Sequence, residues 1–85
     1  MNGINDKISL TGMVLAAAPL READKRLVLL TKEKGKVTVF ARGARRPGNP
    51  FLAAANPFAF GTFQVQESGS AYRLIQVEIR NYFRE

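Results

Sequence analysis

Apolar and polar residues alternate along much of this 85-residue chain. A period of two marks strands with one buried face. The alternation is cleanest over residues 36–42, KVTVFAR, where Val37, Val39 and Ala41 point one way and Lys36, Thr38, Phe40 and Arg42 the other. Residues 25–32, KRLVLLTK, form the strand before it. Glu33-Lys34-Gly35 joins the two as a tight hairpin turn, with Gly35 supplying a positive φ. Residues 8–18, ISLTGMVLAAA, read as an earlier strand, with Gly12 as a bend or bulge and Pro19 as its end. Residues 58–66, FAFGTFQVQ, read as a fourth strand with Phe58 and Phe60 on one face. Phe63 and Val65 join that face only if the phase slips once, which puts a bulge at Gly61. Ser68-Gly69-Ser70 closes a hairpin onto a fifth strand, residues 71–79.

Between the third and fourth strands lies GARRPGNP, a loop rich in Gly, Pro and Arg. Asn49-Pro50 then suits a helix start, because Asn caps free N–H groups and Pro fits the first helical position. A short helix is predicted over 50–55, stopped by Asn56-Pro57, with Phe51 and Leu52 plugging an open barrel end. The resulting order, β-β-β-α-β-β, predicts an all-β fold: a five-stranded oligonucleotide/oligosaccharide-binding (OB) barrel with one short helix between strands three and four. An SH3-like barrel is the structural rival, and it usually lacks a helix at this place. Phe51, Phe58, Phe60 and Phe63 lie in a stretch of neutral charge and are expected in the core.

A chain of this length makes a single domain, residues 1–85. Its 46% hydrophobic content is ordinary for a globular domain. The absence of cysteine and histidine leaves no disulfide, no Cys/His metal cluster and no Ser-His or Cys-His nucleophile pair. No apolar run approaches the ~20 residues of a membrane span, and MNGINDKISL lacks the pattern of a signal peptide, so a cytoplasmic protein is expected. Charge changes the picture more. The net charge is +6, and residues 25–46 hold eight basic residues against one acid, Glu33. Such a local field suits a polyanion.

The glycines match neither a Walker loop nor a dinucleotide fingerprint, and Glu22 and Asp24 read as turn-forming rather than as an acid–base pair. No enzymatic activity, cofactor or metal is expected. What remains is charge beside an aromatic: Phe40 shares its face with Lys36, Thr38 and Arg42. That arrangement suits a stacked base flanked by phosphate contacts. Arg42, Arg45 and Arg46 surround Gly43, where guanidinium groups can engage phosphate and the backbone can approach closely.

The stretch ADKRLVLLTKEKGKVTVFARGARRP, residues 23–47, resembles the N-terminal domain of the RecO family, bacterial recombination mediators. The elements that carry the likeness are Glu22-Ala23-Asp24-Lys25, Leu30-Thr31, Gly35-Lys36 and Arg42-Gly43-Ala44-Arg45-Arg46, with Thr11-Gly12-Met13-Val14-Leu15 and Pro57-Phe58 on either side. Together they span most of residues 8–80. The resemblance implies an OB fold and binding to single- and double-stranded DNA. It also implies strand annealing, and work with RecR and the single-strand binding protein to load RecA. The basic positions it carries over as DNA contacts are Lys25, Lys36, Arg42, Arg45 and Arg46; Phe40 joins them on the strand pattern. Family members continue into a helical domain, often with a cysteine zinc cluster, which this sequence does not contain. Two other readings stand beside DNA binding: a module that docks RecR or another acidic protein, and an RNA-binding barrel. The lone Phe40 weakens the latter, since cold-shock barrels carry denser aromatic motifs.

Overall fold

The computed structural model describes residues 7–52, 54 and 56–82. Five strands follow one another: β1 (Lys7–Leu20), β2 (Asp24–Thr31), β3 (Gly35–Ala41), β4 (Ala59–Ser68) and β5 (Ala71–Tyr82). They close into a barrel in the order β1-β2-β3-β5-β4. All neighbours are antiparallel except β3 and β5, which run parallel through Val39–Tyr72 and Phe40–Arg73. The β3–β5 seam that closes the barrel is short, two residue pairs, and the inward positions of every strand fill the interior.

Both hairpins form where the turn residues place them. Thr31 pairs with Gly35, whose φ is 68°, and Ser68 pairs with Ala71 across Gly69, whose φ is 65°. The Thr31 hydroxyl, buried at the first turn, donates to the Gly35 carbonyl at 2.8 Å and accepts from the Lys34 N–H at 2.9 Å. Its polar atom is thus satisfied inside the barrel wall. The next residues reach back across β1: the Glu33 carboxylate accepts from the Thr11 N–H at 2.8 Å, and the Thr11 carbonyl accepts from Lys32 N–H at 2.8 Å. The Thr11 bond holds the Glu33 carboxyl below its ordinary value of 4.5. A carboxyl with a depressed folded-state pKa stabilises the fold fully above its unfolded pKa, and that share is lost as pH falls through the folded value. Melting temperature is therefore expected to fall below about pH 4.5, and Glu33→Gln to flatten that fall. Identical pH profiles for the two proteins would contradict this role.

The core is built by Leu10, Val14, Leu27, Leu29, Val39, Ala41, Phe63, Val65 and Leu74, joined by Ala44, Ala54 and Ala59. Burying nine such side chains from all five strands is the main drive to close the barrel. The bulge expected at Gly61 does not form on β4: Ala59, Gly61, Phe63 and Val65 are buried in unbroken alternation, and the β4–β5 register shift between Phe60 and Gly61 skips Arg80 of β5. Gly12 is not a bulge either. The β1 irregularity lies at Val14–Ala16, while Gly12 stays in register opposite both Thr31 and Gly61. A Cβ on Gly12 would collide with the Leu30 carbonyl, and one on Gly61 with the Glu78 carbonyl. At both positions the neighbouring strand's backbone comes closer than any side chain would allow.

Three further expectations are corrected. Strand β1 does not stop at Pro19 but continues to Leu20, since Pro19 needs no ladder N–H where it sits opposite Lys25. No α-helix forms over 50–55 among the described residues; 53 and 55 lie outside them. Asn49 does cap, its side chain accepting from Phe51 N–H at 2.7 Å, but Leu52 N–H bonds back only three residues, to the Asn49 carbonyl. Between two prolines, so short a segment cannot offset helix nucleation. The plug is Ala54, fully buried, with Phe51 partly packed and Leu52 exposed. Finally, Phe58 and Phe60 are not core: they are 52% and 37% exposed, while Phe63 lies inside and Phe51 packs partly against the core. With no slip in β4, inward Phe63 and Val65 put Phe60 outside, and Phe58, at φ 73°, gives its N–H to the Val14 carbonyl just before the strand begins.

Candidate nucleic-acid interface

Three connections converge on one end of the β2–β3–β5 wall. The turn between β1 and β2 carries Arg21, and β2 begins with Asp24. Strand β3 presents Phe40 outward and runs into Arg42. The β4–β5 hairpin brings Ser68 and Arg73. Together these six residues line an open cleft of about 350 Å³. The alternation on β3 explains the aromatic: Val39 and Ala41 are buried, so Phe40 between them faces out, half-buried.

Hydrogen bonds lock the cleft's two loops together. Asp24 Oδ1 accepts from the Gly43 N–H at 2.7 Å. The Ala23 carbonyl accepts from Arg45 N–H at 2.8 Å, and the Arg21 carbonyl from the Arg45 guanidinium at 3.1 Å. Gly43 takes φ 73°, a conformation glycine reaches without strain. Arg21 takes φ 53°, which is uncommon for a residue with a side chain, and such backbone strain concentrates at functional sites. Ala44 anchors the 42–46 loop into the core, fully buried. Asp24, expected with Glu22 to form the turn, instead braces the 42–46 loop through Gly43, and reaches its own turn through the ion pair with Arg21 at 3.6 Å.

Electrostatics favour an anion. Arg21, Arg42 and Arg73 face one carboxylate, Asp24. That carboxylate is already committed, to Gly43 N–H on one oxygen and to Arg21 Nη1 at 3.6 Å on the other. Concave walls lined by one sign of charge concentrate the field. Arg73 is steadied by donating to the Gln66 side chain at 2.6 Å.

The predicted residues do not all gather here. Phe40 and Arg42 line the cleft. Arg45 sits behind it, braced against the β1–β2 turn, and Arg46 is exposed in the same loop, its N–H bonded to the Gly43 carbonyl at 3.0 Å. Lys36 lies at the opposite end of β3, beside Leu30, about 13 Å along the strand from Phe40. Lys25 shares the inward parity of Leu27 and Leu29 and is half-buried at the barrel rim, opposite Ala41, so it is not on the Phe40 face. Three arginines were missed. Arg26 pairs directly with Phe40, and counting back from Thr31 opposite Gly35 would have found it. Arg73 faces Phe40 only through the parallel β3–β5 pairing, and Arg21 reaches the cleft only through its turn; neither leaves a local signal.

A second surface lies across the barrel. Leu30, Met13 and Phe60 form one row over β2, β1 and β4, and Leu15, Leu30, Phe58 and Phe60 are exposed.

A closed five-stranded barrel in this strand order, with a cationic cleft over β2, β3 and the adjoining loops, defines an OB-fold domain. The chain belongs to the family described as recombination protein O N terminal, whose model matches residues 5–83. Relatives named DNA repair protein RecO include that of Symbiobacterium thermophilum, 46% identical over 74 residues, covering 87% of this chain and 29% of the relative. The protein of Anaeromyxobacter sp. strain K is 47% identical over 66 residues, covering 76% of this chain and 26% of its own length. That of Bacillus subtilis strain 168 is 38% identical over 68 residues, covering 80% and 27%. The chain thus spans less than a third of the relatives it matches.

Proposed function

We propose that this barrel is the DNA-binding module of a recombination mediator in DNA repair, and that its cleft engages single-stranded DNA in support of strand annealing and RecA loading. The observation that carries the reading is the cleft itself: three arginines and an outward aromatic on the wall where OB barrels hold oligonucleotides. The membership in the recombination protein O family supports the pathway. Duplex DNA is a weaker ligand of the same cations, held by charge alone.

The test is a titration of the chain with a labelled oligothymidylate across a salt series. Log affinity is expected to fall with log salt at about −0.7 per phosphate engaged, or roughly −2 to −3 for the three cleft arginines with Arg26 or Arg46. Salt-independent affinity, or no binding at low salt, would overturn the reading. A protein-docking role has an observation of its own, the exposed apolar row on the far side. The two roles use different faces and can coexist, with RecR or the single-strand binding protein as the docked partner.

A further inference from the structure

The barrel places Phe40 between two arginines. Arg26 is its direct neighbour on β2 and Arg73 its direct neighbour on β5, so one row crosses three strands as Arg26–Phe40–Arg73. Neighbouring strands are about 4.8 Å apart, which puts the two arginine backbones roughly 10 Å apart with the aromatic midway. Both arginines are exposed, and Phe40 is half-buried with one side lining the cleft. Phenylalanine is ordinarily buried, and here the core is already filled by Val39 and Ala41 from the same strand.

We propose that this row is a seat for one unpaired nucleotide: its base stacks on Phe40, and the phosphates on either side lie against Arg26 and Arg73. The proposal rests on the DNA-binding reading and deepens it, by naming the row of three residues that holds one unpaired nucleotide and sets its path. A cationic surface alone attracts any polyanion. A base face is free to lie on an aromatic ring only when it is not stacked inside a duplex, and unstacking one there costs a few kcal/mol that a single strand does not pay. The nucleic acid would then run across the strands rather than along them. Arg21 and Arg42 border the same cleft and extend the phosphate path beyond the seat, and Asp24 holds the loop carrying Arg42 in place through Gly43.

Two labelled strands of equal charge separate stacking from charge: an oligothymidylate about 15 nucleotides long, within the site size of one OB barrel, and an abasic strand with the same number of phosphates. The chain is expected to bind the thymidylate roughly 5- to 150-fold more tightly than the abasic strand. Phe40→Ala should bind both alike, at the abasic level, with the salt slope unchanged. Phe40→Leu keeps the apolar bulk without an aromatic face, so it guards against misreading a folding defect and should lose the discrimination too. Phe40→Trp should keep it, and its indole, the sole tryptophan of the protein, should be quenched by thymidylate and not by the abasic strand. Equal binding of the two strands by the unmodified chain would overturn the seat and leave the charge-based reading intact. Retained discrimination in Phe40→Leu would overturn it as well. Binding of neither strand would overturn the DNA-binding reading itself.

Discussion

Reversing two cleft charges, Arg42→Glu with Arg73→Glu, is expected to weaken binding of a short single strand roughly 100-fold or more at low salt. Each arginine can make a charge-assisted bond to phosphate worth about 1.5–3 kcal/mol, and the lower values together reach about 3 kcal/mol. Stability should hardly change, because both side chains are exposed and surface substitutions usually stay within about 0.5 kcal/mol. Net charge alone would also weaken binding, so a matched control is needed. Lys32→Glu with Lys34→Glu makes the same change in charge at the β2–β3 hairpin, at the other end of the barrel. The control should cost clearly less affinity. Equal losses in the two double variants, read by fluorescence anisotropy, would mean a diffuse cationic surface with no site.

A single methyl group at Gly61 is expected to be among the most damaging changes to the fold. Its Cβ would strike the Glu78 carbonyl and stand 2.9 Å from the Ile79 Cα. The obstacles are backbone atoms of β5, so no side chain can swing aside. Overpacking of this kind costs typically 1–3 kcal/mol, and the upper end applies where the backbone itself must move. For a domain of this size, about 3 kcal/mol lowers the melting temperature by roughly 12–24 °C. Gly12→Ala should behave alike, for the same reason against β2. Alanine at an ordinary strand glycine is mildly favourable, since it limits the unfolded chain. A rise in melting temperature in Gly61→Ala would therefore contradict the close approach described here.

Much of this architecture is legible in the chain because strands and hairpins leave local marks. Alternation over 36–42 placed Val39 inside and Phe40 outside, and both hairpin turns fall at glycines with positive φ. The phase of β4 is not legible in the same way: a slip at Gly61 is expected so that Phe58 and Phe60 share the core with Phe63 and Val65, but the alternation runs unbroken from Ala59 to Val65 and leaves Phe60 outside. Phe58, also outside, has a left-handed backbone that its residue type does not advertise. The expected helix failed for a related reason: a good cap at Asn49 fixes a start but says little about whether six residues between prolines can continue.

The cleft was half legible. Phe40 and Arg42 follow from one strand's pattern, and Arg26 from the hairpin register. Arg73 depends on residues 33 positions apart, Phe40 and Arg73, pairing in parallel, a long-range fact with no local trace. Lys25 and Lys36 show the opposite failure. They belong to the basic run, yet the barrel sends one to its rim and the other to its far end. A charge run along a strand is divided by the pleat, and only the fold decides which half meets a ligand.

Nucleic acid is expected to lie on the β2–β3–β5 face, in the cleft between Arg21 and Arg73. The most direct measurement is a two-dimensional amide NMR titration of the chain with oligothymidylate. Shifts should concentrate at Arg21, Asp24, Phe40, Arg42, Ser68 and Arg73, with Leu15, Leu30 and Phe60 on the far side unmoved. Saturable shifts confined to that apolar row, or spread evenly over every exposed lysine and arginine, would contradict it.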